Sequence, residues 1–142
     1  MFEVIIVTHG SLAVSLYETA QLIVGEREGV RTFGLDLGDS VDIFAAEVTA
    51  AIEKSLEKGD LLVLTDMQSG SPCNVTTAAM IDHKFRHITG VNLPMVIEAL
   101  GNCGFVDIDE TCDTILEIGR DAVRDINKLV ADADIEIQKE DV

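Results

Sequence analysis

Apolar and polar positions run along this chain in blocks whose period switches repeatedly between strand-like and helical. Val4 to Val7 is an unbroken β-branched run and predicts a first strand. Leu12, Leu16, Ala20 and Ile23 then recur at helical spacing, with Ser11 placed to cap that helix and Gly25 to stop it. Val30 to Leu37 is a shorter, more polar strand, suited to a position near the edge of a sheet. Val41, Phe44, Val48, Ile52 and Leu56 form the stripe of a second helix, capped by Asp39 or Ser40 and ended at Lys58-Gly59. Asp60 to Asp66 has a continuous apolar centre, the mark of a parallel strand covered on both faces. After a loop from Met67 to Cys73, Asn74 is read as the cap of a helix reaching about Asp82. A fourth strand spans His87 to Asn92, and Pro94 sits in the first turn of the helix after it. A long helix is expected over about residues 110–131, with Ile115, Ile118, Val123, Ile126 and Val130 as its stripe. Ala133 to Gln138 alternates like a strand, with no partner nearby in the pattern.

Strand and helix alternate almost throughout, which requires right-handed crossovers and gives a doubly wound α/β fold with helices on both faces of a mainly parallel sheet. Neither a repeat nor a linker interrupts the 142 residues, so 1–142 is expected to be a single domain.

Composition narrows the function. The formal charge is −16, from 26 acidic against 10 basic residues. Such a surface disfavours nucleic acid and anionic membranes, and suits a basic protein partner. No apolar run approaches the about 20 residues that cross a bilayer. Met1-Phe2-Glu3 runs straight into strand-like sequence without a basic-then-apolar leader, so a cytoplasmic chain is expected. Cys73, Cys103 and Cys112 are odd in number and widely spaced, and are read as reduced and inert. Nucleotide-loop, dinucleotide and nucleophile-elbow motifs are all missing, and the histidines and cysteines lack zinc spacing, so neither metal nor cofactor is expected.

Two residues stand where open α/β sheets carry out chemistry, beyond the carboxyl ends of strands. His9 ends the first strand and Asp66 ends the third. A strand order of 2-1-3-4 makes those strands neighbours, bringing imidazole and carboxylate to one crevice. A carboxylate that accepts the Nδ1 proton fixes the tautomer, leaves the Nε2 lone pair free, and stabilises the cation formed on attack. Gly10 and Ser11 begin a helix whose N–H groups favour an anion, and Ser69, Gly70 and Ser71 offer further donors. Taken alone, a histidine at a strand end is more often structural, and Asp66 could simply cap its loop. His83 and His87 are read as surface residues, Asn92 as the cap of the Pro94 helix.

Thr8-His9-Gly10, then Asp66 followed by Gly70-Ser71-Pro72 and Asn74, and Gly90-Val91-Asn92-Leu93-Pro94-Met95 resemble the IIA component of the mannose-type (mannose/fructose/sorbose) bacterial sugar phosphotransferase system. The likeness runs from Val4 to about Leu100, with an echo at Gly119-Arg120. It implies a cytoplasmic phosphoryl carrier that accepts phosphate from phospho-HPr and passes it to a histidine of IIB, for sugar entering through membrane components IIC and IID. It implies His9 as the phosphorylated residue, Asp66 as its orienting partner and Ser71 as a phosphoryl-binding serine. It also implies a homodimer that exchanges a C-terminal antiparallel strand, giving Ile135 and Ile137 a partner. Met67, Gln68 and Ser69 depart from the family, which often has an aromatic residue and glycine there. A second reading is a stand-alone regulatory domain of the same type, phosphorylated as a signal.

Overall fold

The computed structural model describes residues 1–132. Strands β1 (Phe2–His9), β2 (Val30–Leu35), β3 (Asp60–Thr65) and β4 (Arg86–Thr89) form one parallel sheet in the order β2-β1-β3-β4. The polar second strand lies at an edge, as its composition predicts. The central strands are the most apolar: Val4, Ile5, Ile6, Val7, Leu62, Val63 and Leu64 are all fully buried. Each such side chain contributes about 1.5–3 kcal/mol when taken out of water.

Alternation along the strands divides the core in two. Val4, Ile6, Leu62, Leu64 and Ile88 face helices α1 (Leu12–Val24), α4 (Leu93–Asn102) and α5 (Ile108–Asp121). Ile5, Val7, Leu61 and Val63 face α2 (Val41–Leu56) and α3 (Ser71–Ala79). In α1 the buried stripe is Ala13 and Ala20 flanked by Leu16, Tyr17 and Val24, while Leu12 and Ile23 point outward. Small residues on that stripe let the helix lie close to the sheet.

Three sequence expectations are corrected. Helix α3 begins at Ser71 with Gly70 as its cap, so Asn74 stands inside the helix and donates its N–H to the Gly70 carbonyl. Pro72 occupies the first turn, where its missing N–H costs nothing. The fourth strand stops at Thr89, and Asn92 lies beyond it as the cap of α4, its side chain accepting from Met95 N–H. The long helix over 110–131 is two helices: α5 starts earlier, capped by the Asp107 carboxylate, and ends at Asp121, while α6 (Ile126–Asp132) follows a break. Asp125 accepts from Lys128 N–H at that second start. Val123, Ile126 and Val130 are exposed. The strand expected at Ala133 to Gln138 lies outside the described residues.

Candidate active site

β1 and β3 end side by side, and His9 and Asp66 meet there. His9 Nδ1 stands 2.7 Å from Asp66 Oδ2, and the same oxygen accepts the His9 backbone N–H at 2.9 Å. Asp66 Oδ1 accepts Met67 N–H at 3.0 Å. Burial pushes the Asp66 carboxyl up, but the His9 backbone N–H, the His9 ring and the Met67 N–H together outweigh it and hold it below its ordinary 3.8. The carboxylate is thus ionised at neutral pH and accepts the ring proton, which leaves Nε2 as the ring's lone-pair nitrogen. The His9 side chain is 46% exposed while that of Asp66 is 12% exposed, so the orienting group is sheltered and the reactive ring faces outward.

Three glycines shape this arrangement. Gly10 turns with φ 53° and donates its N–H to the Leu35 carbonyl. A Cβ on Gly34 of the neighbouring strand would lie 2.0 Å from the Gly10 oxygen, so only glycine lets β2 approach that turn. Gly70 lies directly against the ring: a Cβ there would stand 2.7 Å from His9 Cε1 and 3.4 Å from Nε2. The N-terminus of α3 therefore sits beside Nε2, and its opening N–H groups and dipole favour an anion at that nitrogen.

An open concavity of about 440 Å³ brings His9, Gly10 and Ser71 together with residues of the β2–α2 corner. Ser69, by contrast, is exposed, and its φ of 68° lies in the left-handed region that a non-glycine residue enters only at a cost of about 1–2 kcal/mol. It makes the turn that brings Gly70 up to the ring, and no hydrogen bond joins it to His9 among the described residues. Ser11 occupies the cap position of α1 without a side-chain bond. Thr8 caps the helix instead, its buried hydroxyl accepting Ala13 N–H at 2.8 Å and donating to the His9 carbonyl at 3.0 Å. Sequence reasoning misses Thr8 because capping patterns look two or three residues back, and this bond spans five.

The two other histidines differ. His83 pairs with Glu53 at 3.2 Å on the α2–α3 side. His87 is not a surface residue, as the sequence suggests, but half-buried with Nε2 2.9 Å from Thr65 Oγ1. Burial pushes its pKa below 6.5. The unfolded chain binds that proton as pH falls through 6.5 and the folded chain resists it, so stability should fall on acidification below about 6.5. His87→Gln should flatten the pH dependence of urea unfolding between pH 7 and 5; an unchanged slope would contradict the burial effect. Among the described residues no group of three or more His, Cys, Asp or Glu side chains is arranged to hold a metal ion. None of the described helices is long and apolar enough to cross a membrane.

Comparison with known proteins places the sequence and the fold in a family. The chain is 30% identical over 123 residues to the PTS system mannose-specific EIIAB component of Escherichia coli K12, an alignment covering 85% of this chain and 38% of that protein. It is 25% identical over 122 residues to the PTS system sorbose-specific EIIA component of Klebsiella pneumoniae, covering 83% of this chain and 87% of that one. Among solved structures, the mannose/sorbose specific IIA subunit of the phosphotransferase system from Enterococcus faecalis superposes with a TM-score of 0.78 at 29% identity, covering 97% of this chain and 98% of that one. The phosphotransferase system component EIIA from Streptococcus agalactiae gives 0.78 at 26% identity, covering 90% and 99%. The model of the family described as "PTS system fructose IIA component" matches residues 3–116, and the chain belongs to this family of IIA components of the sugar phosphotransferase system.

Proposed function

We propose that His9 carries a phosphoryl group in transit, received from phospho-HPr and delivered to a histidine of the IIB component that serves sugar uptake through IIC and IID. The observation that carries this reading is the 2.7 Å bond between His9 Nδ1 and Asp66, which leaves Nε2 beside Gly70 and the start of α3. Nε2 attacks the phosphorus of the donor phosphohistidine in line. The new N–P bond forms as the donor N–P bond breaks, and the departing electron pair returns to the donor ring. The His9 ring becomes cationic, with its Nδ1 proton facing the Asp66 carboxylate. Such transfer needs positioning and charge stabilisation more than covalent help from the protein.

Gly70 and Ser71 hold the phosphoryl oxygens through backbone N–H groups and the Ser71 hydroxyl; Gly10, whose N–H is given to the Leu35 carbonyl, and Ser69 support them by shaping the turns. The chain works in the cytoplasm as a homodimer, with no metal or cofactor. The sugar is set by the partner components. Incubation with phosphoenolpyruvate, enzyme I and HPr, followed by mass spectrometric mapping of the acid-labile phosphate, should place one phosphoryl group on His9. Label on another residue, or none, would refute the assignment.

A further inference from the structure

We propose that Thr65 and His87 are positioning residues: their side chains brace the end of β3 and so place Asp66, the carboxylate that orients the His9 ring. This rests on the reading of His9 as a phosphoryl acceptor. β1 and β3 pair up to Val7 and Thr65, so Asp66 is the first residue beyond that ladder. Its place is set by its own bonds to residues 9 and 67 and by how firmly Thr65 is held. Two bonds hold Thr65 from the β4 side. Its carbonyl accepts Val91 N–H at 3.0 Å, and its fully buried hydroxyl meets His87 Nε2 at 2.9 Å. Asp66 is thus fixed between His9 on the β1 side and, through Thr65, β4 on the other.

The makeup of this face argues that the bond serves placement rather than stability. Ile5, Leu61 and Val63 line the same side of the sheet, and Phe85 fills it two residues before His87. Three polar side chains interrupt it at the carboxyl end: Thr65, His87 and Thr89, which stands opposite Thr65 in the β3–β4 register. Thr89 Oγ1 is buried with no hydrogen-bond partner among the described residues. An orphaned buried hydroxyl is costly, and burial works against the charged form of His87. Aliphatic side chains would fill the same space without either cost. What they cannot supply is direction. A hydrogen bond, unlike apolar contact, fixes the angle of Thr65, and with it the direction in which the next residue leaves the strand.

The test pairs phosphoryl uptake from phospho-HPr with the nitrogen NMR signals of the His9 ring. Thr65→Val keeps the shape of the buried side chain and removes its hydroxyl. It should lower kcat about tenfold with KM unchanged, the effect of shifting Asp66 by about half an ångström. The His9 signals should move from a single Nδ1–H tautomer toward the mixture of a free imidazole. Thr65→Ser retains the hydroxyl and should transfer within about twofold of the native rate. Thr65→Val combined with His87→Leu separates placement from packing. With both partners gone no polar group is stranded, so urea stability should return to the native value or exceed it. The kcat and the tautomer mixture should stay as in Thr65→Val. Native kcat or native ring signals in Thr65→Val would overturn the proposal, and so would their return in the double variant. The ring signals need no donor. A native chain that takes no label from phospho-HPr would therefore sink the His9 assignment, while the spectra would still decide whether the brace exists.

Discussion

Alanine at position 9 is expected to give a folded protein that takes up no phosphoryl group from phospho-HPr. The fold should tolerate the change because the ring is largely outside the core and the Asp66 carboxylate keeps its backbone N–H donors from residues 9 and 67. The stability lost with the ring contact is about 1 kcal/mol or less. Uptake should fall to nothing rather than move elsewhere, since the other candidate nucleophiles are poorly placed. His87 is turned into the α3 side against Thr65, His83 is paired with Glu53, and Cys73, Cys103 and Cys112 are buried. Asp66→Asn is the informative companion. An amide can still accept one backbone N–H, but it offers no charge to the cationic ring and no preference for the right tautomer. Transfer should slow by about a hundredfold or more while His9 remains the labelled residue. Rapid-quench measurement of labelled phosphate uptake checks both. Residual uptake in His9→Ala, or equal rates in Asp66→Asn, would remove those roles.

The two residues this rests on are legible in the sequence because each ends an apolar run. His9 closes Val4 to Val7 and Asp66 closes Leu61 to Thr65, and a polar side chain at such a point belongs at the carboxyl end of a parallel strand. The edge position of β2 is legible in its more polar sequence, and no residue of that strand is fully buried. The start of α3 is not, although the same proline rule applies at both places. Pro94 reads directly as a first helical turn, whereas Pro72 reads as a loop stiffener because the glycine and two serines around it dominate the local composition. The overlong final helix has a different cause. Val123, Ile126 and Val130 keep helical spacing, but α5 ends at Asp121, just past the Gly119 carbonyl that Asn92 bonds at the end of the sheet, and none of the described residues buries them. Periodicity reports what a helix could bury, not where the neighbouring layer ends. His87 misleads for a related reason. Next to Arg86 it looks polar and exposed, yet strand alternation turns it toward Thr65 on the α3 side.

Gly70→Ala should slow transfer sharply while leaving every chemical group in place. The backbone at Gly70 has φ −86° and ψ 160°, which alanine adopts freely, so the cost is not conformational. It is steric and local: the added methyl would lie 2.7 Å from His9 Cε1 and 3.3 Å from Met67 Cγ. Met67 is exposed and its flexible side chain can give way. The imidazole cannot, because it is held by Asp66, and any rotation that relieves the clash lengthens the 2.7 Å bond or swings Nε2 away from the start of α3. A displacement of about 1 Å at a reacting centre costs about a hundredfold in rate. Uptake from phospho-HPr should drop by that order, in kcat rather than in KM, while urea unfolding changes by less than about 1 kcal/mol. Serine should be no better than alanine, since its Cβ meets the same atoms. Normal transfer in Gly70→Ala would show that the ring turns freely, and that neither the hold of Asp66 nor the proximity of α3 sets the rate.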